Sequence, residues 1–211
     1  MATLLLVAFH AVVVRPLLFG LLGWAIYHRE RLPRVGPAII IANHNSHLDT
    51  PAPFAMFPIS LLPILRPVAA SDYFLTNRIR AWVARRLFGI IPLSRSLNSR
   101  ERDPLAGCSA ALRAGAILII FPEGTRGEPG RLGRFKSGVG HLAERHPDVP
   151  VIPVFLTMLG RVLPKRALVP VPLLCAAHVG LERKWTGDRG SFMTGLEGAM
   201  AGLAGEVGAL E

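Results

Sequence analysis

Residues 116–126 read Ala-Ile-Leu-Ile-Ile-Phe-Pro-Glu-Gly-Thr-Arg, an apolar run that passes directly into a turn carrying one acid and one arginine. A short, continuous run rich in isoleucine predicts a buried strand. In the turn, Gly124 lets the backbone approach a ligand, successive N–H groups can point at an anion, and the guanidinium of Arg126 matches two phosphate oxygens. This stretch therefore predicts a strand whose end holds a phosphate.

A second apolar strand at 39–41 leads into residues 43–50, Asn-His-Asn-Ser-His-Leu-Asp-Thr. Histidine accepts a proton near neutral pH, and an aspartate five residues later can hold its other ring nitrogen. His44 and Asp49 are therefore predicted to be a catalytic base and its orienting partner. Because both polar turns follow strands, we expect them at the carboxyl-terminal edge of one sheet, where open α/β sheets bind ligands.

Short apolar runs alternate with segments of helical spacing along the chain, at 38–42, 64–70, 90–93, 116–121, 150–156 and 171–179. This alternation predicts a single α/β domain with a central mixed, largely parallel sheet flanked by helices. Residues 103–115 predict one of these helices, with Asp103 as its N-cap, Pro104 at its first position and Gly115 as its stop.

Together these blocks resemble the glycerolipid acyltransferases typified by bacterial lysophosphatidate (1-acylglycerol-3-phosphate) acyltransferases. Gly89 to Arg95 is similar to the family's Gly-x5-Arg block, and residues 135–138, Phe-Lys-Ser-Gly, to its Phe-Lys-x-Gly segment. Residues 149–154, Val-Pro-Val-Ile-Pro-Val, are similar to its Val-Pro-x-x-Pro-Val strand. The resemblance covers residues 35–156, in the family's order.

The resemblance implies the same two catalytic positions, His44 and Asp49, and a fatty acyl transfer from acyl-coenzyme A or acyl-carrier protein to a glycerolipid hydroxyl. The substrate's own hydroxyl is the nucleophile, so neither a covalent acyl-enzyme nor a cofactor is required. The resemblance assigns substrate binding to Arg95, Glu123, Gly124, Thr125, Arg126 and Lys136. A carboxylate cannot hold phosphate, so Glu123 is expected to pair with Arg126 or to accept from a glycerol hydroxyl. The implied acceptor is a lysophospholipid, most simply 1-acylglycerol-3-phosphate, which would become phosphatidate.

Two departures from the family's pattern leave the acceptor open. Residues 70–74 read Ala-Ser-Asp-Tyr-Phe where many relatives have Lys-x-Glu, and residues 178–181 lack the common Gly-x-Pro element. Other lysophospholipids, lyso-ornithine lipid and glycolipid hydroxyls are alternative acceptors among relatives. A catalytically silent membrane-binding relative is a further alternative, although the intact residues of both polar blocks argue against it.

A metal-dependent hydrolase is a third possibility, since His44, His47 and Asp49 are three candidate ligands within six residues. Zinc sites usually add a fourth group or place two histidines four apart on a helix, and the sequence shows neither. We therefore predict no metal and assign His47 to the local hydrogen-bond network.

The first 27 residues carry a single formal charge, Arg15, which with Pro16 divides them into two apolar pieces. Each piece is shorter than the about 20 residues needed to span a bilayer. Residues 1–31 are therefore predicted to be a membrane-associating segment, an interfacial or re-entrant helical hairpin with a bend at Pro16. Residues 32–211 are predicted to be the acyltransferase domain. A single tilted span over 2–27 is the alternative.

The net charge of +10, with 21 arginines and three lysines, favours an anionic partner. Nucleic acid is not predicted, because no zinc-finger, helix-turn-helix or RNA-binding signature is present. A phospholipid membrane is predicted instead, and the protein is assigned to the cytoplasmic face of the cell membrane. Cys108 and Cys175 are predicted to be free thiols in a reducing compartment.

Residues 77–88 predict a helix with an apolar stripe of Ile79, Trp82, Val83 and Leu87. The stripe can face either a membrane or the core. The seven arginines between 78 and 102 favour a face directed at lipid headgroups.

Overall fold

The computed structural model describes residues 2–71, 77–93, 103–127, 132–162 and 173–208. Its strands are Ala25–Tyr27 (β1), Ala38–Ala42 (β2), Leu65–Ala70 (β3), Ile91–Leu93 (β4), Ile117–Ile120 (β5), Val151–Thr157 (β6) and Ala176–Val179 (β7). Within the described residues they form one sheet in the order β1-β7-β6-β2-β5-β3-β4. Strands β2 to β6 are parallel, β7 is antiparallel to β6, and β1 is parallel to β7. The predicted mixed, largely parallel sheet is confirmed.

Each of the six predicted apolar runs contains a strand, but β1 was not predicted. This strand has three residues and follows a long apolar segment, so neither alternation nor a turn signal marks it. It pairs with β7 at one edge of the sheet.

Strand β2 lies at the centre of the molecule and is fully buried along its length. Successive side chains of a strand point to opposite faces, so Ile40 joins one apolar core and Ile39 and Ile41 join another. The first core lies under the N-terminal segment and the helix Ala52–Met56. The second lies under three helices: Ala106–Arg113, Gly138–Arg145 and Arg189–Gly208.

The helix predicted over 103–115 is observed over Ala106–Arg113. The Oδ1 atom of Asp103 accepts from the backbone N–H of Leu105 at 3.1 Å, so Asp103 stabilises the turn before the helix. Gly115 has a φ of +79°, a left-handed conformation that ends the helix as predicted.

The predicted N-terminal hairpin is wrong, because residues 2–21 form one continuous helix. It is α-helical over Ala2–Phe9 and π-helical over His10–Val14 and Pro16–Leu21, and Arg15 between the π segments keeps right-handed helical backbone angles. Proline cannot donate a helical hydrogen bond and its ring crowds the preceding turn, and the wider π turns on both sides accommodate Pro16. The part of this helix from Thr3 to Leu21 is long and apolar enough to cross a membrane, judged by length and composition.

The buried residues of this N-terminal helix recur at every fourth position, at Leu6, His10, Val14 and Leu18, and Leu22 directly after the helix continues the series. In a regular α-helix, with about 3.6 residues per turn, such a row would wind around the axis. The π-helical widening keeps the row on the side that joins the first core. The opposite side is also apolar but exposed, with Leu4, Leu5, Val12, Val13, Phe19 and Leu21.

The domain boundary at residue 31 stays a prediction. Strand β1 precedes it and belongs to the sheet, and the helix before β1 contributes Leu18 and Leu22 to the core.

The predicted helix over 77–88 is observed over Arg78–Leu87, beside the N-terminal helix. The ring of His10 contacts the carbonyl oxygen of Leu87 through Nε2 at 3.0 Å. Ile79 and Trp82 do not pack inward, since they are 74% and 51% exposed. Their helix therefore presents apolar side chains at the surface beside exposed arginines.

Candidate active site

His44 lies two residues after the end of β2, and its ring faces the carboxylate of Asp49. The Nδ1 atom of His44 lies 3.0 Å from Oδ2 of Asp49, which is 1% exposed. An ionised carboxylate can only accept, so Nδ1 carries the hydrogen and the lone pair lies on Nε2. The ring nitrogen that points away from Asp49 is thus the one able to accept a proton.

The chain around Asp49 holds its carboxylate in place. Oδ2 also accepts from the backbone N–H groups of Asn45 and Ser46, the latter at 2.6 Å. The Oγ atom of Ser46 accepts in turn from the N–H of Leu48 at 3.2 Å, which completes a capping box on the short helix His47–Asp49. The spacing between His44 and Asp49 is therefore set by one local turn.

Two further side chains position His44, and neither was predicted from the sequence pattern. The ring of Phe121 stacks on the ring of His44 at 4.4 Å between centroids. The buried amide of Asn43 donates to the carbonyl of Leu156 at 2.9 Å and accepts from the N–H of Leu156 at 2.6 Å. Asn43 thereby extends the pairing of β2 with β6 by one side chain. The sequence signal that could have identified Asn43 is a side-chain amide directly after a buried strand.

Glu123 holds the backbone of His44 instead of facing Arg126. Its Oε1 accepts from the N–H of His44 at 3.0 Å, and its Oε2 accepts from the N–H of Gly133 at 3.0 Å. Glu123 is 6% exposed, and burial raises the pKa of its carboxyl group while the two N–H bonds oppose that effect. The carbonyl of His44 accepts from the N–H of Gly127 at 2.8 Å. The backbone N–H and carbonyl of His44 are therefore both hydrogen-bonded to the 121–127 segment.

The turn that was predicted to bind an anion lies beside these hydrogen bonds. Gly124 has a φ of +71°, and an added Cβ there would approach Nζ of Lys136 to 2.9 Å. The backbone N–H of Lys136 donates to the carbonyl of Pro122 at 2.9 Å, which brings its ammonium group to the turn. Arg126 donates to Nε2 of His47, so its guanidinium reaches the His44–Asp49 segment.

The structure thus brings together His44, Asp49, Glu123, Gly124, Arg126 and Lys136 at adjoining strand ends. Thr125 is an exposed residue of the same turn. Arg95 lies outside the described residues, as does most of the departure at 70–74. No group of three histidine, cysteine or carboxylate side chains suited to a metal occurs in the described part of the chain. Cys108 and Cys175 are free, as predicted, and buried.

Fold and site together define the class: an α/β domain with a histidine–aspartate pair and a cationic turn at neighbouring strand ends. The family model described as Acyltransferase matches residues 24–157, and the chain belongs to this family. The resemblance to glycerolipid acyltransferases is confirmed.

Relatives and a solved structure agree with this family. The chloroplastic 1-acyl-sn-glycerol-3-phosphate acyltransferase of Arabidopsis thaliana is 34% identical over 136 residues, which are 64% of this chain and 36% of that protein. The alpha form of the same enzyme from Mus musculus is 27% identical over 61% of this chain and 43% of that protein. The chain thus matches less than half the length of these relatives. The 1-acyl-sn-glycerophosphate acyltransferase PlsC from Thermotoga maritima superposes with a TM-score of 0.68 at 19% identity, covering 87% of this chain and 71% of that one, and shares the fold.

The position of Glu123 leads to a first prediction. Glu123→Gln can keep one of the two N–H bonds but turns an amide N–H toward the other donor, so the bridge between the N–H groups of His44 and Gly133 is broken and the support of the His44 backbone is weakened. We expect kcat to fall about 10-fold or more, on the scale of one hydrogen bond to a charged group, with little change in the acceptor KM. Steady-state kinetics with both substrates varied would measure this.

Glu197→Gln, at an exposed position of the helix Arg189–Gly208, is the matched control and should behave as wild type. A rise in acceptor KM with kcat unchanged would show instead that Glu123 binds the acceptor.

Proposed function

We propose that this protein is a membrane-surface O-acyltransferase that moves a fatty acyl group from an acyl thioester to a glycerolipid hydroxyl, most simply converting 1-acylglycerol-3-phosphate to phosphatidate. The observation that carries the proposal is the His44–Asp49 pair, held at 3.0 Å, beside a turn with two cationic side chains. Family membership and the names of the relatives support it.

The reaction needs a base, and His44 supplies it. Nε2 takes the proton of the acceptor hydroxyl as its oxygen attacks the thioester carbonyl. Asp49 stabilises the imidazolium that forms, since its carboxylate faces Nδ1. When the tetrahedral intermediate collapses, the C–S bond breaks and the thiol leaves with the proton from Nε2. The products are the ester, the free thiol of the donor and the original neutral histidine.

The acceptor is oriented by its charge. Arg126 and Lys136 place a guanidinium and an ammonium group at the Gly124 turn, and a guanidinium binds a phosphate through two hydrogen bonds. Gly124, Thr125 and Arg95 complete the proposed binding set. The donor, acyl-coenzyme A or acyl-carrier protein, presents its thioester carbonyl at the same strand ends, where the acyl group is transferred to the acceptor.

Attachment to the cytoplasmic face of the membrane is proposed through the N-terminal helix. One side of this helix packs in the core, so the helix lies along the domain and offers its exposed apolar side to the acyl region of a bilayer. Ile79 and Trp82 on the neighbouring helix extend the apolar surface, and the arginines of that helix suit anionic headgroups.

Removing the base should abolish transfer. His44→Ala should lose activity while fold and membrane binding persist, and Asp49→Asn should keep a small residual rate because the base is still present but its tautomer is not controlled. General-base contributions suggest losses of about 10²- to 10⁴-fold. Thioester cleavage would measure turnover, and circular dichroism would check the fold. Near wild-type turnover of His44→Ala would refute the assignment.

Arg126→Lys tests the nature of the acceptor, because lysine keeps the charge but loses the two-pronged geometry. For an acceptor with a phosphate near the reacting hydroxyl, acceptor kcat/KM should fall about 10- to 150-fold, the scale of one hydrogen bond to a charged group. The donor KM should change much less. Arg113→Lys, at the exposed end of the helix Ala106–Arg113, is the control. An unaffected acceptor KM, or a weakened donor, would favour an acceptor without phosphate.

Membrane attachment can be tested without disturbing the core. Deletion of residues 1–27 would remove β1 and the buried side of the helix, whereas Leu4 and Val12 are each 73% exposed. Leu4→Gln with Val12→Gln should reduce binding to phospholipid vesicles about 10-fold or more, given about 1.5–3 kcal/mol for each large apolar side chain buried. Vesicle flotation would measure it.

The matched control is Leu181→Gln, which alters a leucine that is 66% exposed outside the helix. Equal vesicle binding by the wild type, the Leu4 and Val12 double variant and the Leu181 control would place attachment elsewhere. The arginine-rich 78–102 region would then be the next candidate.

A further inference from the structure

An open cavity of about 490 Å³ lies at the opposite edge of the sheet from His44. Its walls are two segments, 29–34 and 56–61. The first wall precedes β2 and the second precedes β3, which start level with each other in the sheet, whereas His44 follows β2, so the length of β2 lies between the cavity and His44. Five residues of strand correspond to about 17 Å. The cavity is therefore separate from the active site.

Positive charge dominates the lining of this cavity. Arg29 and Arg34 line it, and Arg15 donates to the carbonyl oxygen of Phe57, a residue of the second wall. Glu30 is the opposing charge, and its carboxylate lies 3.5 Å from the ring of His28. Within the described residues, no ion pair is formed by these three arginines.

Arg15 is an unusual residue at this place, since it is the charged side chain of an apolar helix. Its Nε atom is buried and has no hydrogen-bond partner among the described residues. Burial and, second, the positive charge of Arg29 lower the pKa of its guanidinium. Two cations that repel one another without a neutralising acid are stabilised when an anion binds between or beside them.

The cavity also has an apolar part. Leu32, Met56 and Phe57 line it and are buried. The first part of the N-terminal helix, Ala2–Phe9, packs against the segment Ile59–Ile64, which overlaps the second wall of the cavity. Ile59 is itself 44% exposed at the surface. A ligand that joins an anionic group to apolar chains would therefore suit this cavity.

We propose that this cavity is a second lipid site, which binds the headgroup phosphate of an anionic phospholipid from the bilayer through Arg29 and Arg34. The acyl chains of that lipid lie along the exposed side of the N-terminal helix. The inference rests on the proposed membrane attachment and is independent of acyl transfer. Such a site would hold the domain to anionic bilayers at the sheet edge remote from the chemistry.

The test uses the full chain in detergent with dioctanoyl phosphatidylglycerol as the probe. Isothermal titration would give the Kd, and native mass spectrometry would count the lipids bound. Arg29→Ala with Arg34→Ala should weaken binding at this site about 10-fold or more, because hydrogen bonds to charged groups are lost. Arg113→Ala with Lys184→Ala removes the same charge from exposed positions elsewhere and should leave binding unchanged.

Two further variants separate this site from those already proposed. The double variant Arg29→Ala with Arg34→Ala should lose one bound lipid. The Arg126→Ala variant, which alters the active-site turn, should still bind that lipid. Acyl transfer in detergent should be unchanged in the Arg29 and Arg34 variant, and lipid binding should persist in catalytically inactive His44→Ala. If the wild type showed no acyl transfer, the proposed lipid site would thus be unaffected. If the lipid site were refuted, the proposed acyl transfer would likewise be unaffected.

Three results would overturn the proposal. The first is wild-type affinity in the Arg29 and Arg34 variant, and the second is an equal loss in the Arg113 and Lys184 control, which would mean that net charge alone attracts the lipid. The third is displacement of the probe by inorganic phosphate at an equal concentration, which would make the cavity a site for free anions.

Discussion

The placement of β2 between β5 and β6 is the constraint on which the site depends. All three strands run in the same direction and are paired in register, with Ile41 opposite Ile120 and Ala42 opposite Val154. Because parallel strands end at the same edge, the residues that follow β2 and β5 must emerge side by side. His44 and Glu123 are consequently neighbours although they are 79 residues apart in the chain. Burial of β2 on both faces makes any change of register costly.

Buried polar groups then convert this adjacency into a defined geometry. The amide of Asn43 and the carboxylate of Glu123 each satisfy two backbone groups, so the chain around His44 is bonded where the sheet ladder ends. Such groups are costly to bury unless they are fully bonded, and here their bonds restrict the base to one orientation. His44 is therefore preorganised by Asn43 and Glu123, and under the proposed function these neighbours would hold the base without binding the acceptor.

The cationic side chains of the molecule form two separate groups, at opposite ends of the parallel strands. Arg126 and Lys136 lie at the carboxyl-terminal edge beside the base, whereas Arg29 and Arg34 line a cavity at the other edge. The N-terminal helix lies along the domain with one side in the core and the other apolar and exposed. A surface of this kind can keep an enzyme against a bilayer while its lipid substrate is still within the leaflet.

Much of this protein was determined by local sequence. Apolar runs predicted six of the seven described strands, and the spacing after β2 predicted the contact between His44 and Asp49, because these depend on residues close in the chain. Long-range contacts decided the rest. Glu123 became a backbone partner of His44, since sheet order brings them together, and Lys136 reached Gly124 only through folding of its loop. Pro16 predicted a break, but packing of every fourth residue against the core stabilised a widened, continuous helix. Periodicity encodes the type of an element, whereas its partners depend on which surfaces the tertiary structure brings into contact.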